Sequence, residues 1–77
     1  MNKWINVNEE LPKFTNTYIV YCNIGSMFGG YKEVRAYGYE IFSGVHSYRK
    51  WCIPNDISEI VTITHWMKLP EPPEEDD

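Results

Sequence analysis

The sequence predicts an all-β chain, mainly antiparallel: a small sheet of four or five strands, with room to curl into a barrel and at most one short helical turn. Three observations carry this. Apolar residues recur at period two or in short β-branched and aromatic runs. Glycine and proline punctuate those runs at short intervals. No stretch keeps helical periodicity for any length.

Trp4, Ile5 and Val7 make a short first strand. Asn8-Glu9-Glu10-Leu11-Pro12 makes a turn that stops at Pro12, which has no amide proton to give a ladder. Residues 13–17 are polar and loop-like. Tyr18-Ile19-Val20-Tyr21-Cys22-Asn23-Ile24 is the clearest strand, with almost nothing polar in it. Such a run fits a central strand or one buried on both faces. Gly25-Ser26-Met27-Phe28-Gly29-Gly30 then joins it, as a hairpin, to a strand over residues 31–40. That strand alternates. Lys32, Val34 and Ala36 share one face; Glu33, Arg35, Tyr37 and Tyr39 share the other. One face should pack and one should be wetter, and Gly38 suggests a bulge.

Residues 41–48 mix apolar side chains with Ser43-Gly44 and fit strand or loop. Lys50-Trp51-Cys52-Ile53 is a short strand ended by Pro54. Asn55-Asp56-Ile57-Ser58-Glu59 is one helical turn at most, with Asp56 and Glu59 at capping-box spacing. Residues 60–69 form the last strand. Strict alternation puts Val61, Ile63, His65, Met67 and Leu69 on one face, and Thr62, Thr64, Trp66 and Lys68 on the other. Pro70-Glu71-Pro72-Pro73 leaves the sheet in an extended polyproline form. Its P-x-x-P spacing suits small adaptor domains, but closing an exposed edge of its own domain is the stronger expectation.

Seventy-seven residues make one domain, expected over residues 1–70, with residues 71–77 as an acidic, mobile tail. Eleven acids against seven bases give a net charge of -4. Five of those acids, Glu71, Glu74, Glu75, Asp76 and Asp77, lie in the last seven residues, which leaves the rest at about +1. A general nucleic-acid binder would want a basic surface, so that class is disfavoured. An acidic nucleic-acid mimic is disfavoured too, because the acids sit in the tail. No apolar run approaches the roughly 18 residues of a membrane span, and the first residues carry no signal-peptide core. No membrane association is expected.

So small a domain has a thin core, which twelve aromatic residues can supplement. Oligomerisation is another way to complete it. Cys22 and Cys52 read as reduced, packed thiols. With His46 and His65 they are too scattered for a zinc site, which wants its ligands in close pairs. A thiol amid apolar residues is protonated and inert, so neither cysteine reads as a nucleophile. Gly25 to Lys32 lacks the Gly-Lys-Ser/Thr of a phosphate loop and precedes a strand, not a helix. His65 reads as a hydrogen-bonded, semi-buried side chain. No catalytic residue, cofactor or metal is expected, and the chain does not read as an enzyme.

The aromatics are the feature that stands out. Tyr31, Tyr37 and Tyr39 fall on one side of one strand, with Trp66 on another and Lys32, Arg35 and Arg49 near. Six residues, Tyr31, Arg35, Tyr37, Tyr39, Arg49 and Trp66, form a candidate binding face. Such a face can meet a protein or stack a nucleotide between aromatic and basic groups. The competing reading is that these aromatics simply complete the core.

The two ends carry a resemblance. Trp4-Ile5-Asn6-Val7-Asn8-Glu9-Glu10-Leu11-Pro12 resembles the W-I-x-V-x-x-x-L-P opening of a family of small phage and prophage proteins of unknown function. Thr64-His65-Trp66-Met67-Lys68-Leu69-Pro70-Glu71-Pro72-Pro73 is similar to its closing T-H-W-M-P-L-P-E-P-P, with Lys68 at a usual proline. Tyr18-Ile19-Val20-Tyr21 stands where the family has a V-L-V-type strand. Val34-Arg35-Ala36-Tyr37 stands at its V-x-x-A-x-Y, and Trp51 is its mid-chain tryptophan. The resemblance is looser over residues 25–48.

The resemblance implies a phage or prophage genome, expression in the cytoplasm of an infected or lysogenic bacterium, and no recognised enzymatic activity. Its signature residues, Trp4, Leu11, Pro12, Trp51, His65, Pro70 and Pro73, read physically as scaffold, with Trp4 expected near Trp66. The function expected is that of a non-enzymatic accessory protein that binds a host or phage protein and interferes with a host defence or metabolic factor. Sequestration of a nucleotide-type ligand is the alternative.

Overall fold

A computed structural model describes residues 3–26 and 29–70. Five strands follow in chain order: β1 (Ile5–Asn6), β2 (Asn16–Ser26), β3 (Gly29–Phe42), β4 (Tyr48–Cys52) and β5 (Val61–Lys68). They form one antiparallel sheet in the order β1-β5-β2-β3-β4. The all-β expectation matches. The barrel does not: β1 and β4 are separate edges, and the sheet stays open. Residues 55–60 are turns, not a helix, and close through amide bonds from Ile57 to Pro54 O and from Val61 to Ile57 O.

The β2–β3 pairing runs unbroken from Asn16 opposite Tyr39 to Ser26 opposite Gly29. Gly38 therefore makes no bulge; it sits squarely opposite Thr17. The hairpin is entered through Gly29 at a φ of 123°, a conformation that only glycine takes without strain. At the far end of β3 the tip of the Phe42 ring lies 2.8 Å from where a Cβ on Gly44 would stand, so a side chain there would push this exposed ring aside.

The irregularity lies elsewhere, between β2 and β5. Tyr21 faces His65 and Cys22 faces Ile63, which leaves Thr64 as an extra residue. Thr64 is pinned on three sides. Its hydroxyl donates to Tyr21 O at 3.1 Å, His65 Nδ1 lies 2.8 Å from that same hydroxyl, and the Val7 amide donates to Thr64 O at 3.0 Å.

The bulge shifts the phase of β5. Strict alternation had put Trp66 opposite in face to Val61 and Ile63. With one residue inserted, all three lie on the same face and are buried. His65 and Met67 turn to the other face, half-buried.

The core sits on that one face. It comprises Tyr18, Val20, Cys22 and Ile24 of β2, Tyr37 and Tyr39 of β3, and Val61, Ile63 and Trp66 of β5. Ile5, Val7, Ile41, Trp51, Ile53 and Ile57 pack at its margin. The expected phase of β3 is thereby settled: Tyr37 and Tyr39 point into the core, while Val34 and Ala36 are exposed. Four rings run through the core edge to face, with Trp66–Tyr18 at 5.1 Å, Tyr18–Trp51 at 6.2 Å and Tyr39–Trp51 at 4.7 Å between centroids.

The polar ends of the aromatics are satisfied by residues 10–14, which cross this face. The Trp66 indole donates to Glu10 O at 2.9 Å and the Tyr18 hydroxyl to Phe14 O at 2.7 Å. Between them Pro12 is fully buried. Trp4, by contrast, does not meet Trp66. Ile5 is the residue opposite Trp66, and Trp4 packs on Tyr21 across the sheet, with centroids 5.8 Å apart. Residues 71–77, and with them Pro73, lie outside the described residues; Pro70 is exposed.

Two substitutions separate packing from phase. Trp66→Ala removes a buried ring and is expected to cost about 3–5 kcal/mol in chemical denaturation. Thr64→Val keeps the shape but removes the hydroxyl's bonds to Tyr21 O and His65 and is expected to cost about 1 kcal/mol. A Thr64→Val protein as stable as the parent would show that the bulge does not depend on the hydroxyl.

Candidate interaction surface

The six residues of the sequence-predicted face share one side of the sheet, but it is the covered side. Tyr37, Tyr39 and Trp66 are core, at 9%, 2% and 4% exposure. Arg35 is half-buried and committed. Its guanidinium pairs with the Glu33 carboxylate and donates to the Tyr37 hydroxyl at 3.0 Å. These bonds, to Tyr37 and then Glu33, push its already high pKa further up. Tyr31 is exposed at the hairpin end of β3, far along the strand from Tyr39. Arg49 is exposed on β4 opposite Ile41, beside the stacked rings of Phe42 and Tyr48. The structure thus splits the predicted face into a core half and two separate surface residues.

The opposite face is bare, and sequence reasoning missed it. Its rows can be read directly from the strand register. Ala36, Ile19 and Met67 lie side by side on β3, β2 and β5. The next row toward the hairpin is Val34, Tyr21 and His65, with Trp4 against Tyr21. The row on the other side begins with Gly38 and Thr17. Val34 is 56% exposed, and Ile19, Tyr21 and Met67 are only half-buried. Charges appear only toward the ends of this face: Lys32 beyond Val34, and the Glu40–Lys50 pair, at 4.0 Å, beyond Gly38. The signal that could have found it was β2 itself. A strand apolar on both faces needs cover on both, and the described residues cover one.

Cys22 and Cys52 are both free thiols. Only Cys22 is packed; Cys52 is exposed on β4, a correction to its reading as buried. The Cys22 thiol donates to Glu33 O at 3.4 Å, and burial pushes its pKa up, with Arg35 pulling slightly the other way. Burial likewise pushes up the Cys52 thiol, which faces the Glu40 carboxylate. Both are poor nucleophiles in this state. Among the described residues no group of three or more His, Cys, Asp or Glu side chains gathers where it could hold a metal ion, and no helix is long and apolar enough to cross a membrane.

One cleft stands out. It has a volume of about 440 Å³ and lies where β1 and β5 meet the 10–14 segment. Phe14, Tyr18 and Trp66 give it aromatic walls, and Lys3, Lys13 and Lys68 ring it.

These features define a small single-sheet β protein, covered on one face and open on the other. The chain belongs to the family described as protein of unknown function (DUF551), which it matches over residues 3–74. It is similar to the uncharacterized 7.8 kDa protein of the ral-gp17 intergenic region of Salmonella phage P22, at 32% identity over 80 aligned positions that cover 95% of this chain and 98% of the phage protein. No solved structure matches it.

The raised Cys22 pKa sets an alkaline limit. The folded state holds that proton more tightly than the unfolded chain, whose thiol titrates near 9.0. The stability this confers is complete below that value and is lost as pH rises through the folded pKa. Burial raises the Tyr18 hydroxyl in the same sense. The melting temperature is expected to fall as pH rises above about 9, and more shallowly in Cys22→Ala. Parallel slopes in the two proteins would show that Cys22 is not the group responsible.

Proposed function

We propose that this is a small non-enzymatic phage or prophage accessory protein, acting in the bacterial cytoplasm by binding another protein through the open face of its sheet. The observation that carries the reading is the uncovered row Ala36–Ile19–Met67 with Val34, Tyr21 and Trp4 beside it. A β-sheet buries an apolar face against a second layer, and contiguous exposed apolar surface marks interaction sites. Interference with a host defence or metabolic factor is the purpose this reading favours for a phage-family protein.

The test is affinity capture from infected cells that also carry untagged chain, with wild type and Ile19→Lys as paired baits. The expected result is at least one stoichiometric protein (host, phage or the untagged copy) retained by wild type and lost by the variant. No stoichiometric protein, or equal retention by both baits, overturns the reading.

A second reading, sequestration of a nucleotide-type anion, is favoured by the lysine-ringed cleft rather than by Arg35 and Arg49. Aromatic walls can stack a base while Lys3, Lys13 and Lys68 meet phosphate. Millimolar nucleotide should then raise the melting temperature of wild type but not of Lys13→Glu/Lys68→Glu. No shift in wild type sinks it.

A further inference from the structure

We propose that the protein covering the open face is a second copy of this chain, packed sheet against sheet about a two-fold axis that runs across the strands along the row Ala36–Ile19–Met67. This rests on the reading of that face as a protein-binding surface and names its occupant.

The argument is self-complementarity. A two-fold interface sets a patch against itself, so what lies on one side of the axis must fit what lies on the other. On the open face β3 reads Lys32, Val34, Ala36, Gly38, Glu40. Turned about Ala36, the order places Lys32 over Glu40 of the second copy and Val34 over Gly38 of the second copy. A cation meets a carboxylate, and an isopropyl group meets a position with no side chain. The dent at Gly38 is real in this chain: a Cβ built there would have only ordinary contacts, with Cys52 Cβ at 3.8 Å nearest.

Strand β2 repeats the relation. Tyr21 and Thr17 lie equally far from Ile19, and the turn about the axis sets the large ring over the small hydroxyl. On β3 and β2, Val34 and Tyr21 thus land on the small pair Gly38 and Thr17. The axis row itself, Ala36, Ile19 and Met67, is apolar and meets its own copies. Facing sheets pack about 10 Å apart with strands within about 30° of alignment, close enough for these rows to interdigitate. At the ends the long Lys32 side chain spans the offset that this angle introduces. The Glu40 carboxylate is available to it, because its pairing with Lys50 is loose and exposed.

No such relation holds on the covered face, where the loops of residues 10–14 already occupy the sheet. The arrangement also gives β2 the second buried face that its composition calls for.

The test is sedimentation equilibrium of the full chain at roughly 1–100 µM, the range in which a modest two-fold interface assembles. Wild type is expected at twice the chain mass. Ala36→Arg puts like charges on the axis and is expected to give a monomer with unchanged far-ultraviolet circular dichroism, since the side chain points to solvent within its own chain. Lys32→Glu sets carboxylate against carboxylate and is expected to weaken the dimer about tenfold, with Lys32→Glu/Glu40→Lys restoring it.

A wild-type monomer at the highest concentration overturns the proposal. So does a dimer indifferent to Ala36→Arg, or a charge-swapped double variant no tighter than the single one. A monomeric wild type that still loses a captured host or phage protein through Ile19→Lys would remove the second copy as occupant and leave the protein-binding reading standing.

Discussion

The bulge at Thr64 is the constraint on which the rest of the structure depends. One extra residue in an antiparallel ladder exchanges the two faces of everything beyond it. Without it, Trp66 would emerge on the bare face, and His65 would turn toward the core beside Val20. With it, Trp66 caps Tyr18 and closes the row of four rings. The bulge is not held by the ladder, which it interrupts. It is held by side chains: the Thr64 hydroxyl on Tyr21 O, and His65 on that hydroxyl. The Thr-His-Trp run of the closing segment therefore has a physical meaning. One residue bonds the carbonyl of Tyr21 across the ladder, one rests on that hydroxyl, and one enters the core.

The opening segment answers the closing one. Trp66 carries an indole N–H that must find a partner once buried. Glu10 O supplies it, and Pro12, two residues on, fills the space beside it. Proline suits this place because the crossing segment gives no ladder bond there and its fixed φ lowers the entropy of ordering an irregular stretch. Leu11, the other signature residue of the turn, is exposed and takes no part in the core. The two ends of the chain are thus one structural device, although Trp4 belongs to the other face.

The strands were legible in the sequence because period two and β-branched runs report directly on the pleat. The phase of those strands was not. In β3, Val34 and Ala36 look like the packed side by residue type, and Tyr37 and Tyr39 suit core or surface equally. Tyrosine buries its ring and hydrogen-bonds its hydroxyl, so composition does not decide. In β5 nothing local marks Thr64 as bulged, since its partner is Tyr21 O, forty-three residues away. The unmarked bulge and the undecided phase of β3 had one result: the candidate face lay on the side of the sheet that the structure covers. Only β2, apolar at odd and even positions alike, pointed to a second apolar face.

That strand joins the fold to its use. Its even residues, Tyr18, Val20, Cys22 and Ile24, build the core; its odd residues, Ile19 and Tyr21, build the open face. Because neighbours on a strand point to opposite sides, either set can vary with little effect on packing in the other. One face can therefore be set by folding while the other stays independent of it. The signature side chains Pro12, Trp51 and His65, and Trp66 with them, are already occupied by core packing and by the bulge. The odd positions of β2 and the even positions of β3 are free of that packing, and it is there that Val34, Gly38 and the opposed charges of Lys32 and Glu40 stand.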